Sequence, residues 1–496
     1  METPNFSAHW PAWIMVLPLV GALLAFTVPR YKSLIGLVTA MGVLLLGIAL
    51  TQQVLAEGPQ RYPIGGWGAP LGIEFYIDGL SALMLLLAAS VGVFTSLYGV
   101  GYFGSKEDPH HAHERDYFWP LWLFLWAALN GLFLTADVFN AYVTLELIGL
   151  ASVALVGLSG QAAALGAAIR YLLVSLLGSL FYLLGVGLLY AGYHTVDMVS
   201  LGQLIQAGPL PGAALTMMGV GLLLKTALFP LHFWLPPAHA NAPTPVSSVL
   251  SALVVKATFY LLLRLWFTVF PETTTAAAAN LLGLLGAFAI LWGSLQALQT
   301  QRLKLLVAYS TVAQLGYLFL VFPLTQETAT AFTAWSGSLY HALAHGLAKG
   351  GMFLAAGTVL YALRHDRIQD LDGISQHLPV TLFAFGLAGV SLMGLPPSGG
   401  FLAKWSLLTA AIASDQWGWA FIIVLGGLLA AGYVFRVLAR AFAQVPSTAN
   451  YRPVPWFMEW SALLLALMAV VLGLIAQTPL TLIGIGAPVP DKELLL

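Results

Sequence analysis

The chain has 496 residues, of which 59% are hydrophobic and only 8% are Asp, Glu, Lys or Arg. A soluble protein of this composition could not cover its surface with polar groups, so the sequence indicates an integral membrane protein. The net charge of −1 excludes the clustered basic face of a nucleic-acid-binding protein. The absence of cysteine excludes disulfides and thiolate-bound iron–sulfur clusters.

Continuous apolar runs of about 20 residues predict transmembrane helices and exclude the alternating strands of a membrane barrel. The first run, from Trp10 to Pro29, lacks the basic start and cleavage site of a secretory signal, so we expect a retained helix. We therefore predict an all-α integral membrane protein. Its fourteen spans lie near residues 10–29, 34–55, 77–103, 118–135, 137–158, 166–193, 213–235, 243–270, 279–299, 302–323, 328–363, 379–413, 418–443 and 456–487.

Three of these spans are irregular in sequence. The span at 328–363 is too long for a straight crossing, so we expect it to tilt or bend. Gly-Leu-Pro-Pro-Ser-Gly-Gly (394–400) predicts a broken helix in the twelfth span. Pro230, Pro236 and Pro237 interrupt or end the seventh. Because no long linker separates the spans, residues 1–496 form a single membrane domain.

The loops give the orientation. With the N-terminus outside, only Arg61 and Lys492 lie in outer loops, which is a strong positive-inside bias. This predicts a bacterial or archaeal cytoplasmic (inner) membrane protein with both termini on the outer side. The basic residues assigned to cytoplasmic loops are Arg30, Lys32, Lys106, Arg115, Arg170, Arg302, Lys304, Arg364, Arg367, Arg436, Arg440 and Arg452.

The loop at 104–117 contains three histidines, which could bind a metal, but its carboxylates favour a solvated cytoplasmic loop. The chain has no phosphate-binding loop and no zinc signature. We therefore predict no metal site and no cofactor, and no catalysis by this chain alone.

Charged residues inside the spans are the main functional signal: Glu146, Lys225, Lys256, Arg264, Lys349 and Lys404. A charge at the bilayer centre costs roughly 2.5–3.5 kcal/mol on the insertion scale, so these residues should face the bundle interior. The alternative is a set of structural ion pairs between helices. One glutamate cannot neutralise four lysines, which favours ion translocation.

Burial disfavours the charged form of a lysine, whereas a neighbouring carboxylate favours it. Glu146 paired with Lys225 would therefore be a switch that loads and unloads a proton. That the two residues touch is a hypothesis at this stage.

Histidines extend the set of titratable residues. His341, His345 and Lys349 recur every four residues and share one helix face, which suits a proton relay. His232 and His239 flank the end of the seventh span and either relay protons or cap a broken helix. Asp78, Asp137 and Arg264 lie near span ends, where structural roles are favoured, and we keep Asp137 as a possible relay residue.

Several motifs resemble the antiporter-like membrane subunits shared by respiratory complex I, Mrp-type cation/proton antiporters and membrane-bound hydrogenases. The resemblance runs in order from about residue 64 to residue 440. It is carried by Asp-Val-Phe-Asn-Ala-Tyr-Val-Thr-Leu-Glu (137–146), Leu-Leu-Lys-Thr-Ala-Leu-Phe-Pro-Leu-His-Phe-Trp-Leu-Pro (223–236), Ala-Pro-Thr-Pro-Val-Ser-Ser (242–248), Leu-Leu-Val-Ala-Tyr-Ser-Thr-Val-Ala-Gln-Leu-Gly-Tyr (305–317), His-Gly-Leu-Ala-Lys-Gly-Gly-Met-Phe-Leu-Ala-Ala-Gly (345–357) and Gly-Leu-Pro-Pro-Ser-Gly-Gly-Phe-Leu-Ala-Lys (394–404).

The resemblance implies fourteen helices with two inverted five-helix repeats, near 118–270 and 279–443, and broken helices in the seventh and twelfth places. It also implies roles in proton translocation. Those roles fall on Glu146 of the fifth span, Lys225 of the seventh, Lys256 of the eighth, His345 and Lys349 of the eleventh, and Lys404 of the twelfth.

Within this family the chain is most similar to the D-type subunits of Mrp antiporters, on Gly-Gly-Trp-Gly-Ala-Pro-Leu-Gly-Ile (65–73), Asp-Gly-Leu-Ser-Ala-Leu-Met (78–84) and Lys404. It departs from the family at Leu-Pro-Pro-Ala-His (235–239), where an Asp usually follows the first Pro. It departs again at 299–304, where an acid is usual. These departures concern the cytoplasmic route of proton entry.

The resemblance implies a proton-translocating subunit of a cation/proton antiporter, with other membrane subunits as partners and Na⁺ or another monovalent cation as the coupled ion. Three alternatives remain. The chain could be a proton-pumping subunit of complex I or of a membrane-bound hydrogenase, it could energise an inorganic-carbon uptake complex, or it could be a scaffold whose charges only pair helices.

Overall fold

The computed structural model describes residues 9–69, 72–104, 112–443 and 451–489. Helices dominate the described residues, and a two-stranded antiparallel sheet joins β1 (Gln60–Pro63) to β2 (Glu74–Ile77) between the second and third spans. The helices are α1 Trp10–Thr27, α2 Lys32–Glu57, α3 Gly79–Tyr102, α4 Ala112–Leu134, α5 Val138–Val156, α6 Ala162–Tyr193, α7 Met198–Leu204, α8 Pro209–Thr226, α9 Leu235–Asn241, α10 Thr244–Val249, α11 Val255–Arg264, α12 Ala276–Gln299, α13 Leu303–Leu318, α14 Val321–Leu324, α15 Ala331–Leu363, α16 Pro379–Met393, α17 Gly399–Ala413, α18 Trp417–Ala441, α19 Trp456–Val471 and α20 Gln477–Gly484.

Every predicted span corresponds to a helix or a pair of helices. Twelve helical segments of the described chain are long and apolar enough to cross a membrane. The shorter apolar helices α16 and α17 together make the twelfth span, and α19 makes the fourteenth. The eleventh span is α15, a single uninterrupted helix of 33 residues. The all-α membrane fold is therefore confirmed.

Both expected breaks are present. In the seventh span, α8 ends at Thr226, Ala227 adopts a left-handed conformation (φ 58°), and α9 begins at Leu235. In the twelfth span, α16 ends at Met393, and Gly394 turns the chain with φ 83°. Glycine has no Cβ to clash in this conformation, so the turn costs little there.

The two repeats show the same order of elements. Spans four to eight and spans nine to thirteen each contain two helices, a long helix (α6 or α15), a broken helix and a closing helix. Because five spans separate equivalent helices, the seventh and twelfth spans run in opposite directions across the bundle. This is the arrangement of an inverted repeat.

The eighth span lies at the centre of the bundle. It runs from Thr244 to Val269 through α10, a π-helical turn at Leu250–Val254, α11 and a second π-helical turn at Leu265–Val269. All the side chains of its most apolar stretch are buried inside the protein. No sequence period predicts these π turns, which are often found at functional sites.

Ion pairs tie the connecting segments together at one end of the bundle, which we call the basic end. Lys32, after the first span, contacts Asp116 at the start of the fourth, with 2.5 Å between Nζ and Oδ1. Arg302, before the tenth span, contacts Asp366, after the eleventh, at 3.0 Å.

Ion pairs with acidic residues also join segments at the opposite end of the bundle. Arg264 forks onto Asp78 with two hydrogen bonds of 2.5 and 2.6 Å, and both side chains are buried. Arg61 of β1 contacts Glu74 of β2 at 2.5 Å and Asp197 at 3.3 Å. Asp78 and Arg264 thus form a buried ion pair near span ends, where the sequence favours structural roles.

Candidate functional site

Glu146 and Lys225 are in contact, as hypothesised from the sequence. Glu146 lies midway along α5, and Lys225 lies in the last turn of α8, next to the break in the seventh span. The distance between Lys225 Nζ and Glu146 Oε1 is 3.6 Å. Lys225 also donates to Ser175 Oγ at 3.1 Å. The lysine is buried, whereas the Glu146 side chain is 22% exposed on the outer surface of this chain.

Close packing of α6 on α8 brings Ser175 to the lysine. A Cβ at Gly221 would lie 2.3 Å from the carbonyl oxygen of Gly178, so only glycine permits this approach. One turn further along α8, Thr226 hydrogen-bonds to Thr258 of α11 at 2.8 Å. The seventh span is therefore joined by polar contacts to the sixth span on one side and to the eighth on the other.

Lys256 is completely buried at the start of α11. Its Nζ donates to the carbonyl of Ser251, five residues earlier, at 2.7 Å. Ser251 belongs to the π-helical turn, where the wider spacing leaves backbone carbonyls available to a side chain. The π turn thus provides a polar position for a buried amine inside a fully buried helix.

Helix α13 carries the next group of contacts along one face. Thr311 shares a hydrogen bond of 2.8 Å with Ser251, which links the tenth span to the eighth. Lys349 of α15 donates to the carbonyl of Val307 at 3.0 Å and to the hydroxyl of Ser310. The buried amine of Lys349 is therefore held by neutral oxygens.

His341 and His345 lie on the same face of α15 as Lys349. Their rings stack with centroids 5.6 Å apart and an angle of 9° between planes. His341 Nε2 is 3.1 Å from the carbonyl oxygen of Gln314. Neither ring nitrogen of His345 has a hydrogen-bond partner among the described residues, and the ring is buried. Ordered water is the usual partner of such groups.

Lys404 lies on α17, the second helix of the broken twelfth span. Its Nζ donates at 2.7 Å to the carbonyl of Leu392, which the break in the twelfth span leaves free. The same amine lies 4.2 Å from the centre of the Tyr317 ring. Gln314 also donates to Leu392 at 3.3 Å, so the network of His341 reaches the carbonyl that binds Lys404.

The possible relay residues occupy three different settings. His232 lies in the broken segment of the seventh span and stacks on Phe229. His239 is buried in α9 and stacks on Phe353 of α15, with centroids 4.7 Å apart. Asp137 caps α5 by accepting from the backbone N–H of Asn140 at 2.5 Å, and it faces a pocket at the opposite end, away from the buried lysines.

Two residues assigned to loops from the sequence are buried in helices. The loop pattern assigns Lys304 to a cytoplasmic loop, but this residue lies in the first turn of α13 and is only 1% exposed. Its Nζ donates to the carbonyl of Ala242 at 2.6 Å. Glu114, also assigned to a loop, lies in α4 and is 4% exposed. Both residues border polar stretches of the sequence, which is why the loop pattern assigned them to loops.

Taken together, the named residues Glu146, Lys225, Lys256, His345, Lys349, His341 and Lys404 form a polar belt across the middle of the bundle, from α5 to α17. Titratable side chains inside a membrane protein can pass a proton from one to the next along such a belt. Within the described ranges no group of three or more His, Cys, Asp or Glu could hold a metal ion. Residues 105–111 of the histidine-rich loop at 104–117, with two of its three histidines, lie outside the described residues.

Comparison with known proteins identifies the family of the chain. Residues 135–430 match the family model described as NADH:quinone oxidoreductase/Mrp antiporter, and residues 67–113 match the complex I chain 5 N-terminus. The chain is 36% identical over 462 residues to NADH-quinone oxidoreductase subunit N from Desulforudis audaxviator, covering 90% of each chain. It is 30% identical over 436 residues to the D-type subunit of a Na(+)/H(+) antiporter from Bacillus subtilis, covering 86% of each.

Among solved structures, a chain of the Mrp complex from a Dietzia species has a similar fold. The TM-score is 0.87 with 24% identity, and the match covers 97% of both chains.

Proposed function

This chain belongs to the NADH:quinone oxidoreductase/Mrp antiporter family of membrane subunits, and on that premise we propose that it moves protons along the Glu146-to-Lys404 belt of a cation/proton antiporter complex. Its partners are other membrane subunits. The relatives named as D-type subunits of Na(+)/H(+) antiporters favour Na⁺ as the coupled cation.

The contact between Lys225 and Glu146 is the observation that carries the proposal. A carboxylate beside a buried lysine favours the protonated form of the lysine. A small movement that separates the two side chains therefore favours release of the proton. The released proton has titratable neighbours in the eighth, eleventh and twelfth spans. A purely structural pair would not require the three further buried lysines.

The orientation follows the distribution of basic residues. We place the basic end on the cytoplasmic side, with both termini outside, because Lys and Arg are retained on that side during insertion. A bacterial or archaeal cytoplasmic membrane fits this arrangement.

The test is pH-gradient formation in inverted vesicles that contain the whole complex. We expect Glu146→Gln and Lys225→Ala each to reduce proton movement by roughly tenfold or more, which is the scale for loss of an acid–base group. Glu327→Gln is the matched control, because Glu327 lies in an exposed connection between α14 and α15. A blue native gel measures assembly. Native proton movement in both variants would mean that the charges only join helices.

The second candidate is a proton-pumping subunit of a redox enzyme, which the relative named NADH-quinone oxidoreductase subunit N favours. The same vesicles separate the two candidates. Gradient changes driven by added Na⁺ support the antiporter, whereas gradients driven by NADH or another reductant support the redox enzyme.

A further inference from the structure

A cavity at the basic end lies apart from the polar belt. It opens at the surface where α1 ends, α2 and α4 begin and α3 ends, and its volume is about 440 Å³. Arg30, Lys32 and Arg115 line it, together with the hydroxyl group of Ser33. Within the described ranges no acidic residue lines it. A cavity with this lining favours an anion.

Two of the three cations at this cavity have no counter-ion. Arg30 and Arg115 make no ion pair with a residue that the structure describes, and Arg30 lies 5.8 Å from the centre of the Tyr31 ring. Lys32 differs, because it is held by Asp116 at 2.5 Å. The charges left for a ligand are therefore the two guanidinium groups, which repel each other unless an anion lies between them.

A second cavity at the same end shows the contrast with arginines that have partners. Arg436 and Arg440 line this second cavity. Arg436 donates to the carbonyls of Leu298 and Thr300. Arg440 pairs with Asp372 at 3.4 Å. Groups of the protein itself satisfy these two arginines, so the second cavity has no comparable need for an anion.

Retention of basic residues at one side of the membrane during insertion explains why Lys and Arg are frequent at this end. It does not explain why Arg30, from the connection before α2, and Arg115, from the start of α4, border one cavity without a described acidic partner. A ligand with negative charge accounts for that arrangement.

The surface next to the cavity indicates which kind of anion this is. Exposed apolar side chains recur along α2 at intervals of three or four residues, so they share one face of the helix. This α2 stripe consists of Leu34, Val38, Met41, Leu45 and Ile48. It begins in the first turn of α2, beside the cavity, and extends about 21 Å along the helix. One leaflet of bilayer hydrocarbon is about 15 Å thick, so the stripe is long enough to contact a whole acyl chain.

We propose that this cavity binds the headgroup of an anionic phospholipid, with Arg30 and Arg115 contacting its phosphate and an acyl chain lying along the α2 stripe. The guanidinium fork matches phosphate oxygens, and basic pockets between transmembrane helices suit anionic headgroups. Inorganic phosphate has the same charged group but no part that would contact the stripe. The proposal does not depend on the proposed function, because the cavity shares no residue with the belt.

The experiment uses the whole complex in phosphatidylcholine nanodiscs that contain a trace of phosphatidylglycerol with a photoreactive acyl chain. After illumination, mass spectrometry locates the labelled peptides. We expect labelling within residues 34–48 that excess unlabelled phosphatidylglycerol displaces, and that inorganic phosphate does not. Each basic residue contributes a factor of roughly five in binding, so Arg30→Gln combined with Arg115→Gln should lower this labelling roughly ten- to thirtyfold.

Arg440→Gln is the matched control, because it removes an arginine with a partner from the second cavity, and it should label as the native complex does. Equal labelling of residues 34–48 by a photoreactive phosphatidylcholine, or unchanged labelling in the double variant, overturns the proposal. Displacement by inorganic phosphate overturns the lipid as the source of the phosphate. Absence of label from residues 34–48 in the native complex, as when another subunit covers α2, also overturns it.

A blue native gel checks that each variant assembles. If the double variant does not assemble, Arg30→Gln decides, because Arg30 lies at an exposed position outside the helices. That single change should lower the labelling roughly threefold or more, and native labelling in it would contradict the proposal. The comparison of the two lipids in the native complex gives the same decision without any variant.

Discussion

The two broken helices satisfy the buried backbone carbonyl groups at their breaks with different side chains. In the seventh span, the carbonyl of Leu224 at the break accepts from the indole of Trp234 at 2.9 Å and from the backbone N–H of Ala227 at 3.2 Å. Lys225 is then available to contact Glu146. In the twelfth span, the freed carbonyl of Leu392 accepts from Lys404 itself at 2.7 Å. A tryptophan satisfies one break and a lysine satisfies the other.

The consequence is a difference in what stabilises each lysine. Lys225 has a carboxylate partner, whereas Lys404 has neutral oxygens and the Tyr317 ring, with no carboxylate within salt-bridge distance among the described residues. A carboxylate favours the protonated form of a lysine more strongly than neutral oxygens do. The pair whose separation would change the protonation of a lysine therefore lies in the first repeat. An inverted repeat therefore preserves the position of a break without preserving its chemistry.

The largest expected effect tests whether the two lysines both release protons. Arginine keeps the charge at either position but stays protonated, so we expect Lys225→Arg and Lys404→Arg to retain less than about a tenth of native proton movement. Vesicle pH gradients, normalised to the amount of assembled complex, measure this. Lys32→Arg is the control, because Lys32 pairs with exposed Asp116 outside the belt. Activity in Lys404→Arg alone would restrict proton release to the first repeat.

The next effect tests the role of Trp234. Replacing it by phenylalanine removes the shorter of two hydrogen bonds to the buried carbonyl of Leu224 and leaves the one from the backbone N–H of Ala227, so the loss should cost about 1 kcal/mol. We expect a lower unfolding temperature for the purified complex. The matched control is Trp335→Phe, because the buried indole of Trp335 has no hydrogen-bond partner in the described structure. Equal decreases in unfolding temperature in the two variants would show that the smaller side-chain volume, and not the lost hydrogen bond, causes the destabilisation.

The next effect concerns glycine packing between helices. A Cβ at Gly221 would lie 2.3 Å from a backbone oxygen, so Gly221→Ala should force α6 and α8 apart at a cost of about 1–3 kcal/mol. Gly316→Ala should do the same in the second repeat, where the distance to the Gly286 oxygen would be 2.2 Å. Gly219→Ala, with open space around it, should be neutral or stabilising in the same thermal assay. Similar stability of Gly221→Ala and Gly219→Ala would argue against close packing.

The smallest effect concerns Asp137, outside the belt. Burial raises the pKa of Asp137, with the nearby charge of Asp197 adding to the rise and backbone hydrogen bonds opposing it. The native state therefore binds this proton more tightly than the unfolded chain, and stability falls as pH rises from about 3.9 through the raised pKa.

Asparagine caps a helix as well as aspartate but has no charge. Asp137→Asn should consequently gain on the order of 1 kcal/mol or less at pH 8, and less at pH 5. Thermal unfolding of the complex at the two pH values measures the difference. A variant that is less stable than the native protein at pH 8 would contradict the stated effect of burial.

The sequence predicted the spans and both breaks because the membrane dictates them. Apolar length defines a span, loop charge defines its direction, and proline ends it, as at Pro230. The contact between Glu146 and Lys225 was also expected from their chemistry. The roles proposed for the belt residues remain predictions, because no contact in the structure reports proton movement.

Other features depend on neighbours that no local pattern reveals. Lys304 follows a polar stretch, so a window of sequence cannot distinguish an exposed lysine from one that enters a buried helical turn. The π turn beside Lys256 leaves no period in the sequence. The bond from Trp234 to Leu224 joins residues ten positions apart across a break, and only the path of the backbone brings them together.

The burial of the eighth span has a consequence for how the protein is made. Lys256 and Arg264 lie on a buried helix of the eighth span, and part of the cover of this span is α15, which is synthesised later. Until α15 arrives, the Lys256 amine would face hydrocarbon at a cost of roughly 2.5–3.5 kcal/mol. The eighth span must therefore stay sheltered, by the insertion machinery or by the first seven spans, while the second repeat is translated. A chain cut after Phe270 would lack the part of the cover of this helix that α15 supplies.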